Sequence, residues 1–555
     1  MILWLFLRAI KLRKAVFHFN YPIYFFQRVE VKKKLLNNLH SIIEYYCESE
    51  KQITENFWNL TYVEGFYLPI EIAGGLKMIT NNSPSRSLIL TILLGLVGVG
   101  VGIFSGFLAG ANPKLLVLAV VAIGTVCYFF AKFEQAVLGL LILRSSLDVF
   151  SDQQVPAAFA IGLNILALLY VTVSLLTGRT IRTDKFWWFF AGWVMLQGIW
   201  PILCVLGGLG LGAFTLLDNI REWTRLFSWL MVYLLVLQLQ GRLHPEKMIS
   251  LLFISLIPPV SLGVMQQVSS LLFHTGEARI HGTFAHANNF VLYLLLFIAL
   301  TWWKLRWAKQ HWYWLLLLGL LTNLYVATGA VYGLVMIAVF VLTAILPKLK
   351  LSNAIAGIIL LMAFAGLFFS TDYGIERVNQ ILQTPLLNSD IDISRAIVLS
   401  TSDFNSFNWR ISQWYYLLQS WQNSPLLGYG LGTSNGFPNY YGLSPYPIPA
   451  HNDYVRALVE GGILGLFTFL SFLCIQGLHL IKLFWQAPRQ SDQRDLCWTL
   501  FAVLIATSLG MLTDNVWSGT AFYFYWWTTL AIVGWNWNQL HSLEEVLVDQ
   551  QNTKR

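Results

Sequence analysis

Hydrophobic residues in this chain run in long, nearly unbroken blocks, not at the spacing of a helix or strand that shows one face to water. From Ser87 onward the blocks cover 88–108, 115–131, 133–149, 156–176, 187–206, 220–239, 248–272, 287–303, 312–327, 329–346, 352–370, 453–481, 496–513 and 518–537. A helix needs about 20 apolar residues to cross ~30 Å of hydrocarbon, and most of these blocks approach that length. The pattern predicts an all-α fold, a polytopic transmembrane helical bundle of about 12–14 spans.

Two stretches break the alternation of apolar block and short polar connection. Residues 1–87 hold eleven Lys or Arg and seven Asp or Glu among interrupted apolar positions. They predict a basic cytoplasmic extension that lies against the membrane through Trp4, Phe6, Phe17 and Phe19. Residues 371–452 form a long connection between two late helices, and a loop of that length is commonly functional. Trp409, Trp414, Tyr415, Tyr416, Leu417, Leu418 and Trp421 give it an amphipathic helix able to lie on the bundle. The expected organisation is an extension (1–87), the first part of the bundle (88–370), a large, partly helical periplasmic loop (371–452), C-terminal transmembrane helices (453–537) and a cytoplasmic tail (538–555).

Composition supports the membrane reading. Of 555 residues 56% are hydrophobic and 12% charged, where a soluble chain carries about 25% charge, so a water-soluble enzyme is excluded. The net charge of +8 does not form one basic face and so does not indicate nucleic acid. Lys132, then Arg179, Arg182 and Lys185, then Arg242 and Lys247, then Lys304, Arg306 and Lys309 fall in connections on one side, followed there by Lys348, Lys350, Lys482, Arg489 and Arg494. The other side has mainly Lys114 and Arg279. This asymmetry predicts cytoplasmic termini, with the basic loops against the anionic lipid leaflet. The apolar Met1–Leu7 precedes Arg8 and Lys11, the reverse of a signal peptide, so the amino terminus is expected to be retained.

Other possible chemistry is quickly narrowed. Cys47, Cys127, Cys204, Cys474 and Cys497 are scattered without a CxxC pair, so neither a disulfide framework nor a zinc site is expected. Gly98, Gly102, Gly106 and Gly110 recur every four residues and read as a close-packing helix face. Gly207, Gly208, Gly210 and Gly212 follow no strand, which argues against a dinucleotide loop.

Three polar interruptions remain, all in connections on the outer side. The first runs from Ala278 through Arg279, His281, Gly282, Thr283, Phe284 and His286 to Asn288 and Asn289. The second joins Arg410 to Pro425-Leu426-Leu427-Gly428-Tyr429-Gly430-Leu431-Gly432, and the third is His451-Asn452-Asp453 followed by Glu460-Gly461-Gly462. Polar backbone at membrane depth is tolerated only beside protein or water, so such motifs mark candidate sites. Arg279 and Arg410 present planar cationic donors suited to phosphate oxygens, or to a lipid headgroup or local carboxylate. An imidazole such as His451 can take a proton near neutral pH. Asn452 and Asp453 can orient it, cap the following helix, or both.

Taken together, the Arg-x-x-Gly-Thr-Phe-x-His-x-Asn stretch, the arginine before Pro-Leu-Leu-Gly-x-Gly-x-Gly and the His-Asn-Asp before Glu-Gly-Gly resemble the O-antigen ligase and Wzy-type O-antigen polymerase superfamily of bacterial membrane glycosyltransferases. The likeness covers most of residues 210–480. It implies a bacterial inner-membrane enzyme that moves a glycan from a polyprenyl diphosphate carrier to an acceptor hydroxyl, on a glycan or lipid, at the periplasmic face. The transfer would need no metal and no cofactor and would invert the anomeric carbon. By the same resemblance His451 is the general base, and Arg279, Arg410, Arg221, Asn452, Asp453, His286 and Asn288 bind substrate, with Arg225 one turn deeper than Arg221.

The chain departs from the pattern at Thr328-Gly329-Ala330-Val331-Tyr332-Gly333, where many relatives have Thr-Gly-Ser-Arg-Gly, and Val331 cannot supply that cation. Ala287 stands where a proline is common. Two other functions compete. An anion, bicarbonate or solute transporter of similar fold would use the same arginines but needs no external base, and neither a broken helix nor an inverted repeat is legible in the blocks. An inactive assembly scaffold for polysaccharide export would account for Val331 and the amino-terminal extension.

Overall fold

The computed structural model describes residues 113–537 apart from 208, 210–214, 274–278, 349–350, 401–405, 437–448 and scattered positions between 386 and 400. The extension 1–87, the block 88–108, the Gly98–Gly110 stripe, most of the glycine run at 207–212, Ala278, Cys47 and the tail 538–555 lie outside the described residues.

Every apolar block from 115 onward is helical. In chain order these helices are α1 (Pro113–Ala131), α2 (Phe133–Leu143), α3 (Val155–Leu176), α4 (Lys185–Gln197), α5 (Ile199–Val205), α6 (Leu216–Leu237), α7 (Pro245–Leu252), α8 (Ile257–Phe273), α9 (Ala287–Trp307), α10 (His311–Ala327), α11 (Val331–Ile345) and α12 (Leu351–Phe369). The long connection supplies α13 (Asp372–Leu382) and α14 (Ser406–Trp421), and the chain closes with α15 (Asp453–Gln486), α16 (Asp492–Gly510) and α17 (Thr520–Val533). Among the described residues there is no strand, only an isolated bridge between Gln240 and Leu243. The protein is an all-α, multi-pass membrane bundle. Among the described residues five helical stretches are long and apolar enough to cross a bilayer by themselves: 155–176, 185–205, 245–270, 287–307 and 453–486.

Local chemistry divides the longer blocks. The block 133–149 ends its α-helix at Leu143 and continues as a 3₁₀ helix, Arg144–Gln153, in which buried Arg144 pairs with Asp148 at 2.8 Å and donates to Thr520. The block 248–272 changes to a 3₁₀ turn at Phe253–Leu256, just where Pro258 and Pro259 remove two helical N–H donors. Asp184 starts α4 by accepting the Trp187 N–H at 2.6 Å, and its second oxygen takes the Tyr233 hydroxyl proton of α6 at 2.8 Å.

The centre of the bundle is built from helices apolar all round, as helices enclosed by other helices must be. In α17 every residue from Ala521 to Val533 is buried, and in α9 the run from Phe290 to Thr301 is buried without interruption. α6 packs on α3 and α17, α9 on α10, α16 and α17, and α16 on α11 and α15. α3, α10 and α12 leave large apolar residues outward, among them Ile161, Leu316 and Ile359, as lipid-facing helices do.

One feature of α15 is absent from the sequence reading. Its helix breaks at Gly462, whose φ of 63° and ψ of −162° are open only to glycine. The break exchanges intrahelical bonds for bonds to the segment after α14. Ile463 N–H donates to Pro425 O at 2.9 Å and Leu464 N–H to Leu426 O at 3.3 Å, while Val459 O and Glu460 O accept from Tyr429 N–H and Gly430 N–H at 3.1 and 2.8 Å. A Cβ at Gly462 would lie 2.3 Å from the Leu426 carbonyl, so the glycine is what lets the two backbones meet.

Candidate functional site

His451 is built into place by its neighbours. It holds a positive φ of 47°, a conformation that costs a non-glycine residue roughly 1–2 kcal/mol. Its N–H donates to Asn515 Oδ1 at 2.8 Å, and its Nδ1 lies 3.0 Å from Asp514 Oδ1. Both partners come from the turn between α16 and α17, where Asn515 N–H also donates to Asp514 Oδ1 at 2.7 Å. With Asp514 accepting the Nδ1 proton, the imidazole carries its lone pair on Nε2.

Asp514 is the hub of the site. Its side chain is 5% exposed, and its second oxygen accepts from Asn288 Nδ2 and stands 3.9 Å from an Arg410 Nη. Asn288 in turn accepts from Arg279 Nη2 at 2.8 Å through its own Oδ1, and its carbonyl accepts from the Tyr332 hydroxyl at 2.6 Å. Arg279 Nε donates to Thr328 O at 2.8 Å. Asn288, Arg410 and His451, from three separated stretches, therefore converge on one carboxylate, and Thr328 and Tyr332 bond to the Arg279–Asn288 pair behind it. Burial pushes the Asp514 carboxyl up, but the His451 hydrogen bond and charge, with Arg410 behind them, hold it below the ordinary carboxylate value.

His286 stands at the rim as the cap of α9, and its Nδ1 accepts the Asn288 N–H at 3.1 Å. Desolvation, then the Arg279 guanidinium, hold its imidazole below the usual value. Arg410 lies on α14, which docks on α15 through Trp414, whose Nε1 donates to Ala450 O at 2.7 Å, and through fully buried Leu417. Arg410, Gln413, Trp414 and Leu417 follow one another at helical spacing on the inward side of α14, whereas Tyr415 and Leu418, counted in the apolar set that predicted this helix, are exposed.

The other sequence candidates have different surroundings. Asn452 caps α15 by accepting from Tyr454 and Val455 N–H at 3.0 and 3.1 Å. Asp453 is 2% exposed, accepts the Trp517 N–H at 2.7 Å and donates its own N–H to Met511 O. Asn452 thus serves the start of α15 and Asp453 the frame around the 511–517 turn, and the carboxylate on His451 is Asp514. Arg221 is exposed on the first turns of α6, whereas Arg225 is drawn inward to pair with Glu222.

A second constellation joins Glu460, from the third motif, to Arg456 and Glu222, which the sequence did not signal. Arg456 links Glu222 and Glu460, with both contacts at 3.0 Å, and Glu460 also accepts the Ser434 hydroxyl at 2.6 Å. The glycine-rich segment threads between these elements. Gly430, at φ 106°, sits against Asn219, whose Oδ1 accepts the Leu431 N–H at 2.7 Å, and a Cβ there would come within 2.5 Å of that oxygen. Among the described residues no cluster of His, Cys, Asp and Glu has the geometry of a metal site.

Residues 314–470 match the family model described as O-antigen ligase. The matched stretch runs from α10 through the long connection into α15 and contains Arg410 and His451. No curated protein matches the chain.

Proposed function

On the premise of that family, we propose that the protein is a membrane glycosyltransferase that moves a glycan from a polyprenyl diphosphate carrier to an acceptor hydroxyl at the periplasmic face, as an O-antigen ligase or a polysaccharide polymerase. The observation that carries this reading is the convergence of His451, Arg410 and the Arg279–Asn288 pair on Asp514. An imidazole whose Nδ1 proton is held by a buried carboxylate is an oriented base, and cations beside it suit an anionic leaving group.

In the reaction, His451 Nε2 takes the proton of the acceptor hydroxyl as that oxygen bonds to the anomeric carbon. The bond from this carbon to the diphosphate oxygen breaks, its electron pair leaves with the carrier, and the configuration inverts. Asp514 stabilises the imidazolium. Arg410 and Arg279 meet the charge that grows on the diphosphate, Asn288 fixes the direction of Arg279, and exposed Arg221 serves as an outer contact for the same group. His286, with Nδ1 committed to its own helix, offers an Nε2 proton at the rim. Asn452 acts through the start of α15 and Asp453 through the frame that holds the 511–517 turn. Where relatives carry an arginine and this chain has Val331, the load falls on Arg221 and Arg410, while Arg279 is tied to the same turn through the Thr328 carbonyl. The chain would lie in the bacterial inner membrane with both termini cytoplasmic, its partners the lipid-linked glycan donor, a glycan or lipid acceptor and membrane lipid.

The break in α15 gives the transport reading its one structural argument, because broken helices in transporters offer backbone carbonyls to ions. Here the carbonyls of Val459 and Glu460 are taken by the 425–430 segment, which favours the enzyme. The test is release of polyprenyl diphosphate from a lipid-linked oligosaccharide by the purified, reconstituted chain. His451→Ala is expected to abolish release and retain donor binding. Equal release by that variant, or anion uptake into vesicles with no release, would refute the proposal.

A further inference from the structure

Resting on that reading, we infer that Gln413 recognises the first sugar of the lipid-linked donor, the sugar bonded to the diphosphate. Gln413 is 5% exposed, and its Nε2 has no hydrogen-bond partner within the chain. One turn earlier on the same face of α14, the Nε of Arg410 is also buried without a partner. Two unpaired buried donors at i and i+3 are costly to the fold, and groups of this kind are retained where a ligand completes them.

The order of the two residues along α14 assigns them different parts of one molecule. Arg410 stands 3.9 Å from Asp514, next to the imidazole, where the guanidinium suits the diphosphate. Gln413 lies one turn further on, about 5 Å along the helix, roughly the distance from a phosphate to the hydroxyls of the attached sugar ring. The other neighbour of the diphosphate is the polyprenyl tail, which has no group for an amide to bond. An uncharged side chain that both donates and accepts matches a sugar hydroxyl or acetamido group. Trp414 bonded to Ala450 and Leu417 packed beneath hold this face of α14 against the His451 end of α15, so the amide is fixed relative to the base.

Gln413→Leu tests the assignment, because a structural role and a recognition role predict different outcomes. Removing an unpaired buried amide leaves the melting temperature of the detergent-solubilised protein unchanged or higher. Recognition of the sugar raises the KM for a polyprenyl-diphosphate-linked oligosaccharide about tenfold or more, the cost of one such hydrogen bond. It leaves the inhibition constant of sugar-free polyprenyl diphosphate unchanged. The ratio of the two constants does not depend on how much of the variant is folded. An unchanged KM, or an inhibition constant that rises in step with KM, overturns the inference. Carrier release by the wild-type chain, lost in His451→Ala, is established first in the same assay, so failure of the enzymatic reading appears there and not in the Gln413 comparison.

Discussion

His451 and Asp514 are 63 residues apart in sequence and meet at 3.0 Å through Nδ1 and Oδ1. The backbone of His451 is bonded to the residue after Asp514, so one turn fixes both the ring and its main chain. This double attachment holds a non-glycine residue at positive φ, and it makes the carboxylate as decisive for the proposed base as the imidazole itself.

Asp514→Asn therefore keeps the shape of the site and changes its proton arrangement. The amide can donate to Nδ1 and move the imidazole proton to Nε2, the atom that takes the acceptor's proton in the proposed reaction. Turnover measured by carrier release should fall roughly 10²–10⁴-fold, with donor binding little altered. A variant that turns over at the wild-type rate would separate the pair from the chemistry.

The same carboxylate sets an acid limit on stability. Its folded pKa lies below the ordinary value, so its contribution is fully present above the unfolded pKa of about 4 and is lost as pH falls through the lower, folded value. Thermal unfolding of the detergent-solubilised protein should lose stability from about pH 4 downward, and Asp514→Asn should remove this part of the decline. An identical acid profile in the variant would contradict the assignment.

Arg456→Gln tests the second charge cluster. It strands buried Glu460, whereas Glu222 keeps Arg225, and loss of one partner from such an arrangement costs about 3–5 kcal/mol. The expected result is a clear fall in melting temperature, and replacing Glu460 by Gln in the same chain should restore part of it.

Gly462→Ala should be among the most damaging small changes in the chain. The methyl group has to enter a contact of 2.3 Å with the Leu426 backbone at a φ that alanine avoids, for a cost of about 2–5 kcal/mol. Gly477→Ala, on the same helix, meets only ordinary contacts at 3.5 Å and should leave the melting temperature nearly unchanged.

The helices were legible because hydrocarbon demands long apolar blocks whatever the fold, and α3, α9 and α10 begin and end within a few residues of the blocks that predicted them. Arg279, Arg410 and His451 were legible as polar interruptions between such blocks. Asp514 was not, since a lone acid in a four-residue connection looks like any loop residue; its signal was that the connection falls on the same side as His451. Arg456 and Glu222 lie 234 residues apart, so each looked like a stray charge in an apolar helix. The break at Gly462 depends on a backbone arriving from residues 425–430, which no pattern within α15 records.

The proposed base and its acid are anchored to the turn between α16 and α17, next to a helix buried from Ala521 to Val533, whereas the cation and amide of α14 ride on the long connection. Chemistry and recognition are thus carried on separately replaceable parts. Tyr415 and Leu418, on the outward side of α14, are open positions where variation can accumulate while the inward stripe remains as it is. A library randomised there would leave both the sugar-facing amide and the proton-transfer pair untouched.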